Sequence, residues 1–175
     1  MNRKSSVRIG GASGFWGDSP VGAAQLIRQG QVDYLVFDYL AELTMSILAA
    51  ARMRHPELGY ATDFVSVTLK ELLPEIVSKG VRVVSNAGGM NPHACAKAVQ
   101  ALAEAMGLAL RVAVVEGDDV LPQLPQWRQM GLNKAIDGQD LPHDMVSANA
   151  YLGAMPIRDA LDRGAQIVIT GRCVD

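Results

Sequence analysis

The sequence predicts an α/β fold: a parallel sheet with helices on both faces, doubly wound in three layers. Three observations point there. Five short runs rich in β-branched residues recur at 7–9, 34–37, 81–85, 110–115 and 166–170. Stretches with helical apolar spacing separate them. The runs themselves are almost continuously apolar instead of alternating, as strands covered on both faces are. Part of a βα barrel shows the same alternation and is the alternative architecture.

The elements follow in chain order. Val7-Arg8-Ile9 opens the sheet, and a glycine-rich loop from Gly10 to Asp18 follows it. Ser19-Pro20 places a capping residue before a proline suited to a first helical turn, and Gly30 marks that helix's end. Tyr34-Leu35-Val36-Phe37 is the second strand. From Leu40, apolar residues at 40, 43, 47, 48 and 51 keep helical spacing. A further helical pattern covers 64–79, where Pro74 predicts a kink or a restart, and Gly80 ends it. Strand 81–85 leads to Asn91-Pro92, which starts a helix with Cys95, Val99, Leu102 and Met106 on its apolar side; Gly107 ends it. After strand 110–115, residues 131–155 show no clear element before about Val146. A connection that long is functional or hides a short element. Gly164 ends a last helix, and 166–170 is the fifth strand. If that strand lies at a sheet edge, Ile167 and Ile169 are exposed and its backbone is open to another copy of the chain. If it is central, earlier helices already cover it. The chain stops at a strand end and the opening of a βα loop. The expectation is therefore one α/β domain over 1–175, the N-terminal portion of a longer protein.

Composition narrows the function. The 175 residues carry 16 basic and 18 acidic side chains, a net charge of −2. With 49% hydrophobic and 19% charged residues, neither a disordered chain nor a charged coiled coil fits. The balance lacks the basic excess of a nucleic-acid binder. No apolar run reaches the roughly 18 residues of a membrane span. Gly10-Gly11 interrupts any signal-peptide core behind the basic start, so the expected location is cytoplasmic. Cys95 and Cys173 form no CxxC pair, and no His or Cys spacing suits a zinc site.

In open α/β sheets, ligands bind outside the carboxyl ends of the strands, so the chemistry is sought there. The first end offers Gly10, Gly11, Ser13 and Gly14 as ligand-binding candidates. They match neither GxGxxG nor a P-loop, and Phe15 stands where a nucleophile elbow needs its last glycine. The alternative is a tight loop whose glycines permit close packing. The third end offers Asn86, Gly88, Gly89 and Asn91, whose backbone N–H groups precede a helix and suit a phosphate, carboxylate or oxyanion. His93 follows in the first helical turn; a well-capped helix entry is the bland reading of the segment. Asp38, Glu42 and Glu116 at the second and fourth ends are candidate general bases or holders of a divalent cation such as Mg²⁺. Capping the next helix is the commonest use of residues such as Asp118 and Asp119, and it is the favoured reading of Asp119. Arg172 at the fifth end either clamps an anionic substrate or pairs with Asp38 or Glu116. Cys173 lacks an identifiable base. Because Asp38, Asn86, Glu116 and Arg172 each end a strand, they are expected to cluster at one edge of the sheet.

Several of these stretches together resemble a known family. They are Ile9-Gly10-Gly11-Ala12-Ser13-Gly14-Phe15-Trp16-Gly17-Asp18-Ser19, 33–42 with Phe37-Asp38-Tyr39, and Val84-Ser85-Asn86-Ala87-Gly88-Gly89-Met90-Asn91-Pro92. Ser147-Ala148-Asn149-Ala150-Tyr151-Leu152-Gly153-Ala154 and Ile169-Thr170-Gly171-Arg172-Cys173-Val174-Asp175 complete the pattern, and Asn149 and Tyr151 thereby join the ligand-binding candidates. The chain resembles the N-terminal region of the acyclic terpene utilisation protein A family over essentially its whole length. The resemblance implies a place in bacterial breakdown of acyclic terpenes such as citronellol and geraniol, whose acids are processed as coenzyme A thioesters. It implies a pathway without an assigned reaction. The leading expectation is an enzyme or enzyme domain acting on a branched acyl-CoA or related carboxylate, with the coenzyme A thioester as substrate. Two others stand beside it: a non-catalytic subunit that binds the ligand or a partner enzyme, and a nucleotide- or sugar-binding module. The expected partners are a small-molecule substrate and either a second copy of the chain or a pathway enzyme, with no nucleic acid and no membrane.

Overall fold

In the computed structural model, which describes residues 6–174, five parallel strands form one sheet. They are β1 (Ile9–Ser13), β2 (Tyr34–Phe37), β3 (Arg82–Ser85), β4 (Val112–Val115) and β5 (Ile167–Thr170), in the spatial order β1-β2-β3-β5-β4. The helices are α1 (Val21–Gln29), α2 (Glu42–Arg54), α3 (Lys70–Lys79), α4 (Pro92–Ala105), α5 (Leu124–Gln129) and α6 (Ala154–Asp162). From β1 to β4 the chain advances across the sheet in one direction; from β4 to β5 it turns back. With right-handed crossovers, α1, α3 and α4 fall on one face and α6 on the other. The burial agrees. Leu35, Phe37, Val83, Ile167 and Ile169 join the larger core with Ile27, Leu73 and Val99. Val115, Ala165 and Val168 form a smaller core under Ile157, Ala160 and Leu161 of α6.

Three details differ from expectation, and a fourth decides between the two positions left open for the fifth strand. β1 begins at Ile9 and runs through Ser13, so Gly10 and Gly11 are strand residues. A side chain at Gly10 would meet Leu26 and Val32 at about 3 Å, which explains a glycine there at the cost of a weak strand signal. The irregularity near Pro74 comes one turn early: a π-helical turn, Phe64–Leu69, passes into α3, and Pro74 sits inside α3. A proline ring presses on the carbonyl four residues before it, here Lys70, where the two helical forms meet. The short element of the long connection, α5, precedes residues 131–153 instead of lying within them. And β5 is central, with all four residues buried, so the sheet edges are β1 and β4. No helix among the described residues is long and apolar enough to cross a membrane.

The reversal positions the site. The loop after β3 leads to α4 on one face and the loop after β4 leads toward α6 on the other. Between them lies the carboxyl end of β5. Such a parting of loops opens a crevice, the usual ligand position in this class of sheet.

Candidate functional site

α2 lies across the carboxyl ends of the strands instead of on a sheet face. Leu48, 1% exposed, packs against Gly89, where any Cβ would strike it. Arg52 donates to the Met90 carbonyl and approaches Asp119 at 3.9 Å. Beneath α2, residues 86–90 are buried. The Asn86 amide donates to Asp38 at 2.6 Å and its oxygen accepts from the Tyr39 N–H at 2.7 Å. Asn91 caps α4, its Oδ1 accepting from the Ala94 N–H as expected of a helix entry. The backbone N–H groups of Ala87, Gly89, Met90 and Asn91 donate to Ser85 Oγ and to the carbonyls of Asn86, Gly59 and Gly88. Gly88 is equally enclosed, since its Cβ would lie 2.5 Å from the Thr170 carbonyl oxygen. These glycines let the loop tuck under α2, and the donors just named face protein.

The polar centre forms one strand over, at the end of β5. Arg172 is 4% exposed. Its guanidinium lies 4.2 Å from the centre of the Tyr151 ring, donates to the Cys173 carbonyl at 3.1 Å, and comes within 3.8 Å of Glu42 Oε1. Tyr151 donates its hydroxyl proton to the same Glu42 oxygen at 2.6 Å. The Arg172 backbone N–H donates to Asp118, a buried carboxylate that also accepts from the Asn149 amide at 3.0 Å. Burial pushes the Asp118 carboxyl above its usual value, opposed by these hydrogen bonds. Segment 149–152 is laid onto the strand end by Leu152, whose N–H donates to the Arg172 carbonyl and whose carbonyl accepts from the Val174 N–H. The result is a cavity of about 220 Å³ at the crevice, lined by Glu42, Met45, Ser46, Ser147, Asn149, Tyr151 and Arg172.

The other candidates lie around this centre. His93 and Glu116 pair with each other at 2.7 Å, both more than 60% exposed, on the rim where β4 meets α4. Ser13 donates to the Phe15 carbonyl, and the Gly14 N–H is taken by Asp18. Gly11 has open space above it. A second cavity of about 140 Å³ opens beside Ser13, between Asp18, Tyr39, Asp63 and Thr68. Burial pushes the Cys173 thiol up and Cys95 to about 12, so neither is an activated thiolate. Among the described residues no group of three or more His, Cys, Asp or Glu side chains is placed to hold a metal ion.

Asp118 is the member of the polar centre that the sequence pattern passes over as a helix cap. Its neighbour Asp119, one residue ahead of the N-cap Val120 of the next helical turn, accepts from the Leu121 N–H at 3.1 Å. A usable signal was Gly171, since a Cβ there would collide with the Asp118 carboxylate.

Fold and site together define a parallel α/β protein with a polar, arginine-centred pocket at the point where its strand order reverses. The family model described as Acyclic terpene utilisation family protein AtuA matches residues 7–175, and the chain belongs to that family. No match is found among curated proteins or among solved structures.

Proposed function

We propose that the pocket between α2 and segment 147–152 receives the acyl head of a branched acid derived from an acyclic terpene, and that the chain is an enzyme domain acting on its coenzyme A thioester. The observation that carries this is the buried Arg172 guanidinium, stacked on Tyr151, with the exposed Glu42 carboxylate within 4 Å. A cation and a hydroxyl donor beside a carboxylate are the components needed to polarise a carbonyl and take a proton from the adjacent carbon. In this reading Arg172 and Tyr151 donate to the thioester oxygen, and Glu42 is the base. A thioester suits the site better than a free acid. The charge of Arg172 is already opposed by Glu42, which a ligand carboxylate would have to displace. At about 220 Å³ the cavity is smaller than the roughly 300–1,000 Å³ of pockets for drug-sized ligands. It fits an acyl head, with the coenzyme outside.

The test measures binding of branched acyl-CoA thioesters and the corresponding free acids by calorimetry, and α-carbon exchange with solvent deuterium by mass spectrometry. The thioester is expected to bind and exchange. Arg172→Lys, which loses the planar stacked fork, should weaken binding by about tenfold or more. Glu42→Gln should keep binding and lose exchange. Binding without exchange in the wild type supports the alternative of a non-catalytic subunit. Binding unchanged in a folded Arg172→Lys variant rejects the pocket.

A further inference from the structure

β4 is an edge strand with the sequence Val112-Ala113-Val114-Val115, and among the described residues it pairs only with β5. The Arg111 carbonyl accepts from the Gln166 and Ile167 N–H groups on the β5 side. By strand alternation, Val112 and Val114 therefore turn their own N–H and C=O groups outward. Natural sheets guard such edges with proline, lysine, a bulge or a covering segment. The opposite edge follows this rule, since β1 carries two glycines and a bulge between Gly11 and Ser13. β4 is short, at four residues, but carries no proline, lysine or bulge. Beside it runs a groove of about 550 Å³, walled by the strand, by Pro156, Asp159 and Ala160 of α6, and by Arg163 just past the end of that helix. Those four positions form one stripe along the helix and its C-terminal end. The stripe holds an acid and a base one turn apart, the acid steadied by Arg158 at 2.6 Å.

We propose that this edge joins a second copy of the chain, β4 against β4 antiparallel about a two-fold axis, to give one continuous ten-stranded sheet. Charge complementarity selects this occupant. The two-fold axis runs the two α6 helices antiparallel, so Asp159 meets Arg163 of the partner subunit and Arg163 meets Asp159 of the partner subunit. With the axis at Ala113, Val112 exchanges hydrogen bonds with Val114 of the partner subunit, and each open group finds a mate. Such an isologous contact closes at two copies, whereas pairing to β1 of another copy would run on without closing. The inference is independent of the pocket at Arg172.

Sedimentation equilibrium of the 175-residue chain tests it. The expected mass is twice that of the monomer. Val114→Pro removes an N–H that β5 does not use, and should give a folded monomer. Asp159→Arg and Arg163→Asp each place like charges at two symmetric contacts, and each should weaken the dimer by about tenfold. Mixing those two variants restores opposite charges and should restore the dimer. A wild type that is monomeric at every concentration overturns the proposal. So does a folded Val114→Pro protein that dimerises as the wild type does, or a monomer whose edge takes up an extended peptide instead. If Val114→Pro fails to fold, the charge variants decide: a dimer indifferent to both single changes is held by another surface.

Discussion

Asp118 is buried to 4% exposure behind Arg172, and burial outweighs its hydrogen bonds, so its native carboxyl titrates above the usual aspartate value. Below that usual value the carboxyl is protonated in both native and unfolded chains, and the native preference for the neutral form is fully present. As pH rises the unfolded carboxyl ionises first, the native state then binds more protons, and stability falls. The loss is complete once the native carboxyl ionises too. Asp118→Asn cannot ionise and should lack this decline. The variant's urea midpoint relative to wild type should therefore rise with pH through the mildly acidic range and then level off. A difference that does not change with pH would mean that Asp118 titrates alike in both states. At this scale the sequence reads unevenly. Asp38, Glu42, Asn86 and Arg172 are legible because each stands at or just beyond a strand end, and the structure joins Asp38 to Asn86 and Glu42 to Arg172. Which of two adjacent aspartates turns inward is set by the path of the loop after β4, and that path depends on where segment 147–152 comes to lie.

Helix α2 shows why an element is easier to read than its orientation. The spacing 40, 43, 47, 48 and 51 locates a helix, yet Leu43 is 72% and Ile47 48% exposed, while Met45, Leu48 and Ala49 are buried. A helix lying on a sheet face buries a regular stripe. α2 buries such a stripe at 45, 48 and 49, but against loops at the strand ends, and it leaves the apolar Leu43 and Ile47 on its outer side, so the apolar pattern alone misplaces its inner side. The same contact explains Gly88 and Gly89, which sequence presents as an anion cradle and the structure packs beneath α2. Strands 34–37 and 166–170 read well because a central parallel strand has apolar neighbours on both faces. β1 reads poorly because its glycines serve packing against Leu26 and Val32. Since Leu48 is the side chain that seats α2 on Gly89, Leu48→Ala should cost about 2–5 kcal/mol in chemical denaturation, the usual cost of such a cavity. It should also loosen Glu42 from Tyr151, so binding at the pocket should weaken in protein that is still folded. Full affinity in that variant would show that Glu42 is positioned without α2.

Across the whole molecule, order and exposure are divided unequally, and the pocket lies on the boundary. On one side are β3, β5 and residues 86–90, where nearly every side chain is buried and the backbone is paired. On the other is the connection 131–150, with Leu132, Ile136 and Val146 exposed and pairing limited to isolated bridges such as Lys134 with Asp140. Local opening is cheapest where few apolar contacts oppose it. Amide hydrogen exchange should therefore be fastest in 131–146 and slowest in β3 and β5. Residues 147–152 should be intermediate, because Val120, Asp118 and Arg172 hold them by backbone hydrogen bonds. Under the proposed function, a ligand in the pocket would touch Glu42 and Ser46 of α2 as well as Ser147, Asn149 and Tyr151. It would bind only when 147–152 is laid down, so binding would draw on the opening free energy of that segment. Saturation with a branched acyl-CoA should slow exchange in 42–46 and 147–152 together and leave β3 unchanged. Protection confined to Ser13, Asp18 and Asp63 would move the ligand to the smaller cavity beside β1. Protection confined to 112–115 and 156–163 would report on the β4 edge, and would separate dimerisation from ligand binding in a single experiment.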